Sequence, residues 1–394
     1  MSLSALAQGP KAGEKNQATV THLSEEKALT QIAILLDTSG SMNGLIDQAR
    51  CQLWNAVTEL ATASQGGQTT KLEIAVYQYG SNQIPETQGF LRQVTGFTED
   101  LDEVSRSLFS LHPSGRHEFC GAVIDHALSE LDWSTSPNAY QAIFIAGNES
   151  FDQGNVTFGK GLPKALSKSV VINSIYCDNN DKFVANKPQW QAAAQLADGM
   201  FFNINHNHHL PEMKTPYDSK MRDLNKKMNS TFVWYGPGGQ KAATNQKAQD
   251  DNARKMSDHA FAARMSTKIG HLYHHAHHDL IDALAHGKVD LTKMRPAQMP
   301  ENLRAMSPDQ RKAFLNGKTV ERNQIRRQMA DVISKRHSFI QKTMSDQPGI
   351  KGQNMTVLGD ALVNAVRRQA IAKGFQFGNQ RTAKLSNENP LRKN

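Results

Sequence analysis

An α/β fold, with a doubly wound and mostly parallel sheet followed by a largely α-helical C-terminal region, is predicted by three features. Short apolar runs, each long enough for one buried strand, alternate with amphipathic stretches as far as about residue 210. Beyond that point the apolar residues keep helical spacing and β-branched residues become scarce. Between them stands a turn rich in side-chain oxygens. The first apolar run, Ile32-Ala33-Ile34-Leu35-Leu36, ends in Asp37-Thr38-Ser39-Gly40-Ser41, and a Pro-free amphipathic segment follows over 45–63. Strands alternating with helices argue for a parallel sheet with crossover helices.

The expected strands are 32–36, 72–79, 141–146, 170–176 and 200–204. They are continuous apolar or β-branched runs, as strands covered on both faces are. Gly80 and Gly147 follow two of them directly. Helices are expected at 45–63, 101–108, 120–131 and 189–197, between those runs. In the C-terminal half, Met221, Leu224 and Met228 recur at spacings of three and four, which predicts a helix over 218–228. Residues 242–265, rich in Ala, Gln, Lys and Asp, read as one helix, and 280–285 and 321–339 continue the pattern. Pro296, Pro300 and Pro308 divide it, and Ser307-Pro308 has the form of a helix start. A short helix is expected at 356–373, and 374–394 reads as polar, basic and loose. The resulting organisation is a solvated tail at 1–27, an α/β domain at 28–210, a basic helical region at 211–345, and a short helix with a loose tail at 346–394.

Asp37, Ser39 and Ser41 alternate along the turn, where Gly40 lets the chain bend. One carboxylate and two hydroxyls are hard oxygen ligands of the kind Mg²⁺ or Mn²⁺ takes in an incomplete protein cage. A coordination position left open there would accept a partner's carboxylate. The competing reading is an ordinary helix entry, which favours the same residue types.

The Asp-x-Ser-x-Ser turn between strand and helix resembles the opening of the metal-ion-dependent adhesion site of von Willebrand factor A (VWA) domains. The resemblance implies a Rossmann-like doubly wound sheet with Mg²⁺ at the carboxyl ends of its strands. The segments Tyr77-Gln78-Tyr79-Gly80, Glu118-Phe119-Cys120-Gly121-Ala122-Val123, Phe144-Ile145-Ala146-Gly147-Asn148-Glu149, Thr215-Pro216-Tyr217-Asp218 and Trp234-Tyr235-Gly236 are similar to a bacterial VWA subgroup with a helical C-terminal region, over about 28–375. Two positions depart from the best-known pattern. Glu118 stands where integrin-like domains carry a Thr, and Ala146 stands where the family carries a second Asp. The resemblance therefore implies a metal site of Asp37, Ser39, Ser41 and Glu118, with Glu118 restoring the lost carboxylate and Asn148 and Glu149 behind it. The competing outcome is a degenerate pocket.

Composition narrows the remaining classes. A chain of 394 residues, 38% hydrophobic, is long enough for more than one domain. No apolar run approaches the roughly 20 residues of a membrane span. The tail lacks an apolar signal core, and three cysteines without zinc-like spacing read as reduced thiols, so a cytoplasmic location is expected. Cys120 reads as a small buried hydrophobe. Residues 211–394 carry a net charge of +16 and residues 1–210 carry −8. Such asymmetry suggests different partners for the two halves, although Lys and Arg also cover any solvated helix. No nucleic-acid-binding motif accompanies the basic half, and its aromatic residues are sparse.

His206, His208 and His209 fall in a loop, while His271, His274, His275, His277 and His278 fall in an expected helix. Four of the latter would share a face and allow a zinc or nickel site, but a solvated histidine-rich face is the plainer expectation. No GxSxG elbow, Walker loop, GxGxxG or CxxC is present. The glycines of Trp234-Tyr235-Gly236-Pro237-Gly238-Gly239 read as a turn. The expected function is a non-enzymatic protein-interaction module that binds an acidic partner residue through Mg²⁺. The alternatives are binding of nucleic acid or an anionic surface by the basic half, and a metal-dependent hydrolase using Asp37 and Glu118.

Overall fold

Every residue of strand β1 (Leu29–Asp37) after Leu29 is buried, because the strand lies at the centre of a sheet covered on both faces. The computed structural model describes residues 28–178, 184–205, 212–346 and 358–378. After β1 come α1 (Asn43–Leu60) and the short strands β2 (Ala63–Gln65) and β3 (Gln68–Thr69), joined through Gly66 and Gly67 at positive φ. The chain continues through β4 (Lys71–Tyr79), β5 (Leu91–Thr98), α2 (Leu101–Phe109), α3 (Cys120–Glu130) and β6 (Tyr140–Gly147). Then come α4 (Phe158–Ser167), β7 (Val171–Asp178), α5 (Lys187–Leu196) and β8 (Phe201–Asn205).

The six-stranded sheet has the order β5-β4-β1-β6-β7-β8. All its pairings are parallel except β4 with the edge strand β5. The order reverses at β1, the switch point at which open α/β sheets form a crevice beyond their carboxyl ends. Register brings Asp37 opposite Tyr79 of β4, and Leu36 opposite Ala146 of β6. Alternate residues of β1 enter different cores. Ile32, Ile34 and Leu36 pack with Leu53 and Val57 of α1, while Ala33 and Leu35 pack with Val123 and Ile124 of α3. Each fully buried aliphatic side chain of this kind contributes roughly 1.5–3 kcal/mol.

The second half contains α6 (Asp218–Asn229), α7 (Gly239–Met256), α8 (Asp258–Lys268), α9 (Leu280–Ala285), α10 (Glu301–Arg304), α11 (Pro308–Ser345), α12 (Leu358–Ala372) and a short strand β9 (Phe375–Phe377). The single helix expected over 242–265 is two helices. Ser257 takes an extended conformation between them, and its Oγ accepts the Ala260 N–H at 2.9 Å. α11 begins with Ser307 and Gln310 capping each other reciprocally. Its buried residues Leu315, Thr319, Arg322, Ile325, Met329, Val332 and Arg336 recur at three or four and form one face. No helix of the described residues is long and apolar enough to cross a membrane.

α12 returns to the sheet. It packs along α1, and Leu358, Leu362 and Val366 join the core of Ile32 and Ile34. Gly359 permits this approach, since a Cβ there would stand 2.8 Å from Gln52 Oε1. β9 then adds to the β2–β3 hairpin, with Phe377 opposite Ala63. The stretch after Gly374, expected to be loose, is a strand over those residues because its ladder partner lies far back in the chain. The remainder of that stretch, 379–394, lies outside the described residues, as do 1–27 and the histidines at 206, 208 and 209.

The helical region meets the sheet layer through a buried ion network. Arg264 of α8 lies 2.8 Å from Asp102 Oδ1 of α2 and donates to Asp250 Oδ1 of α7 at 2.7 Å. Lys268 reaches Asp250 Oδ2 at 2.9 Å, and Tyr273 donates to Asp102 Oδ2 at 2.8 Å. Burial opposes ionisation of Asp102, but Arg264, His275 and Lys268 outweigh it and hold its pKa far below the usual carboxylate range.

Candidate functional site

The Asp37 turn is clamped from two sides. Thr38 donates to Tyr79 O through its N–H (2.9 Å) and its hydroxyl (3.0 Å), which carries the β1–β4 pairing past the strand end. Gly40 N–H donates to Gly115 O at 3.1 Å, and Ser114 N–H donates to Thr38 O at 2.7 Å. The 114–118 loop is thereby tied to the turn, and Glu118 N–H is held by Gln153 Oε1 at 3.2 Å. Gly80 forms the floor. It has φ +83°, and a Cβ there would stand 2.8 Å from Asp37 Oδ1 and 3.0 Å from Glu118 Cγ. Only glycine lets these two carboxylates approach each other across it. Gly147 lets the end of β6 approach this turn closely, since a Cβ there would lie 2.5 Å from Tyr79 Oη and 3.2 Å from Asp37 Cβ.

Asp37, Ser39, Glu118 and Asn148 are at most 3% exposed. Asp37 Oδ1 accepts the Ser39 N–H at 2.7 Å. Asp37 Oδ2, Ser39 Oγ, Glu118 Oε2 and both amide atoms of Asn148 have no hydrogen-bond partner. No Lys, Arg or His among the described residues is ion-paired with Asp37 or Glu118. Unpaired buried polar atoms are individually costly, and buried carboxylates without a counter-charge more so. Burial accordingly pushes the Asp37 pKa up to about 7; the Ser39 N–H hydrogen bond opposes this and the Glu149 charge adds to it. The donor set (carboxylate, hydroxyl, carboxylate and amide) is one a hard divalent cation accepts.

The structure thus brings Asp37, Ser39 and Glu118 together, with Asn148 following Gly147 at the same strand end and Glu149 close enough to act on Asp37 by charge. Ser41 lies on the exposed part of the turn. Ala146 is buried, presents no carboxylate, and its carbonyl accepts the Tyr79 hydroxyl at 2.9 Å. Cys120 is fully buried, its Sγ lies 3.9 Å from Tyr79 Oη, and burial pushes its thiol well above the ordinary range. Gly80 and Gln153 have structural roles here that sequence reasoning missed; Gly80 left a signal, as the glycine after a strand paired with the motif strand.

The histidines at 271–278 do not form the expected helix. They lie in turns and irregular chain between α8 and α9. The segment is anchored by Asp279, which accepts the Val233 N–H and pairs with Arg322 of α11. His275 is buried, and its Nε2 lies 3.2 Å from Asp102 Oδ2. Burial pulls its pKa down, but the hydrogen bond to Asp102 and that carboxylate's charge outweigh it and leave the value raised. Asp100, Asp102 and His275 can each offer a ligand atom within 4.8 Å of the others. Those atoms are already engaged, because Asp100 caps α2 and Asp102 meets Arg264, Tyr273 and His275. The negative charge there is already balanced, unlike that at Asp37.

The chain is similar to solved structures, among them these three. Proximal thread matrix protein 1 from the mussel byssus aligns with 45% of this chain and 42% of its own, at TM-score 0.32 and 12% identity. An aerotolerance-related membrane protein from Bacteroides fragilis aligns with 45% and 93%, at 0.29 and 16%. The SpRpn10 VWA domain aligns with 45% and 88%, at 0.32 and 15%. This chain spans less than half of the mussel protein's length. No family profile matches the chain, and no curated protein does. The architecture is VWA-like in the sense the motif implied: a doubly wound sheet, helices on both faces, and the Asp37 turn at its carboxyl end.

Proposed function

We propose that this chain is a non-enzymatic interaction module that holds Mg²⁺ or Mn²⁺ at the carboxyl end of its sheet and through it binds an acidic residue of a partner protein. The observation that carries this reading is the set of buried oxygens of Asp37, Ser39 and Glu118 without hydrogen-bond partners, with no Lys, Arg or His ion-paired to the two carboxylates among the described residues. Asp37, Ser39 and Glu118 would hold the ion, Ser41 would complete the turn's contribution, and Asn148 and Glu149 would support it. Glu118 supplies the second negative charge that Ala146 does not. A bound ion would offer an open coordination position to a carboxylate; the protein's own part is to fix the ligands and exclude water around them. The three cysteines are unpaired, which suits a reducing compartment.

Calorimetric titration of Mg²⁺ and Mn²⁺ tests the reading. The wild type should bind one ion, and Asp37→Ala and Glu118→Ala should each abolish binding. Absence of binding in the folded wild type would overturn it. Turnover of phosphoesters in Mg²⁺, lost in Asp37→Ala, would transfer the same site to the hydrolase reading.

A further inference from the structure

Beside Glu118 the chain gathers aromatic rings and positive charge that the metal site does not use. His117 stacks on Phe90 with ring centroids 4.6 Å apart and planes 23° apart. Phe119 meets the edge of Phe90 at 5.7 Å and lies 6.3 Å from His117. His117 and Arg116 are exposed, while Phe90 and Phe119 are half-buried. Arg116 has no ion pair among the described residues.

Phe90 is held in place by unusual backbone. Its φ of +55° lies in the left-handed region, directly after Gly89 at +67°. A bulky residue stays there only when its surroundings impose it, and such residues cluster at functional sites. Here Gly80 N–H donates to Phe90 O at 3.0 Å, and Phe90 N–H reaches Pro85 O at 3.4 Å. The residue that forms the floor beneath Asp37 and Glu118 therefore also positions the Phe90 ring. The 150–154 loop supports the third ring, since a Cβ on Gly154 would strike Phe119 at 2.8 Å.

Resting on the metal-site reading above, we infer that Phe90, His117 and Phe119, with Arg116, form a specificity rim that takes an acidic partner segment in which an aromatic side chain neighbours the metal-bound carboxylate. The outer face of His117 extends the Phe90 stack to an incoming ring, which favours offset stacking. Arg116 repels cationic segments and attracts acidic ones, so the charge and the rings select the same class of sequence.

A random-peptide phage library panned on the full chain in Mg²⁺ and eluted with EDTA tests this. The eluted pool should be enriched in Asp or Glu next to Trp, Tyr or Phe. A synthetic peptide of the selected sequence should bind about tenfold tighter than its aromatic→Ala version, the scale of a good aromatic pair. Phe90→Gly, which suits the positive φ and removes only the ring, and His117→Ala at an exposed position should erase that tenfold difference. Mg²⁺ binding by calorimetry should stay intact in both. Acidic peptides without aromatic enrichment, bound equally by wild type and Phe90→Gly, would overturn the rim and leave the metal site standing. Failure of wild type to bind Mg²⁺ would overturn both, and aromatic enrichment that survives EDTA would overturn the link between them.

Discussion

Replacing Asp37 by Asn in the metal-free protein should make it more stable. Asp37 is buried, its Oδ2 has no partner, and its pKa is raised from 3.8 to about 7. A shift of that size means that ionising Asp37 at pH 8 costs the folded state about 4 kcal/mol. The sign is the reverse of the usual carboxylate. The folded state binds the proton more tightly, so stability is fully present below about pH 3.8 and is lost as pH rises to about 7. Asn keeps an acceptor for the Ser39 N–H and removes the charge. At pH 8 in EDTA we expect Asp37→Asn to gain about 1–4 kcal/mol, reduced by the weaker hydrogen bond to a neutral acceptor. At pH 4.5 the gain should largely vanish. Mg²⁺ at 100 times its Kd should offset about 2.7 kcal/mol of the pH 8 gain, since it adds that much to the wild type and nothing to the variant. Urea unfolding followed by fluorescence of the buried Trp54 and Trp190 reads each quantity. A variant less stable than wild type by more than about 1 kcal/mol at pH 8 in EDTA would show that Asp37 is not an uncompensated buried charge, and the cation argument would fall with it.

Three further outcomes are expected. Gly80→Ala places a Cβ at positive φ and 2.8 Å from Asp37 Oδ1; it should cost about 1–3 kcal/mol in urea unfolding and remove Mg²⁺ binding in calorimetry. Arg264→Met leaves Asp102 short of its main counter-charge and should cost about 3–5 kcal/mol, whereas Lys335→Ala, which breaks an exposed pair with Asp331, should cost below about 1 kcal/mol. Equal losses in chemical denaturation would mean the Arg264 network is not dry. His275 gains its partner in the folded state, so its contribution is complete below its unfolded value of 6.5 and is lost as pH rises through the higher folded value. A pH series of unfolding free energies should fall over that window in wild type, and the fall should be absent in His275→Gln.

The parts of the fold legible in the sequence are those encoded by local pattern. The apolar runs at 32–36, 72–79, 141–146 and 170–176 are the inner strands, because a strand covered on both faces is apolar along most of its length, and the run at 200–204 is the half-buried parallel edge strand β8. β5 was not legible. It is an edge strand, half-buried, interrupted by Gly96 and irregular in register against β4. β9 was hidden for a related reason, being three residues whose partner is β2. The break at Ser257 left a capping signal, but the helix-forming residues on both sides masked it.

For the candidate site, the oxygen-bearing side chains and their order along the chain are readable in Asp37-Thr38-Ser39-Gly40-Ser41, since a strand-to-helix turn is a local event. Convergence of Glu118 on Asp37 is not. It depends on Gly80 from β4, the Gly40–Gly115 hydrogen bond and Gln153 beyond β6. The histidines show the limit most clearly: their spacing suited a helical face, yet the tertiary structure breaks the segment and spends His275 on Asp102 and Asp279 on Arg322. Periodicity and turn chemistry are properties of neighbouring residues, so the sequence alone determines the layers and the motif. Which buried charge meets which counter-charge, and which is left without one, is settled only when distant segments pack, because burial makes each pairing or its absence energetically decisive.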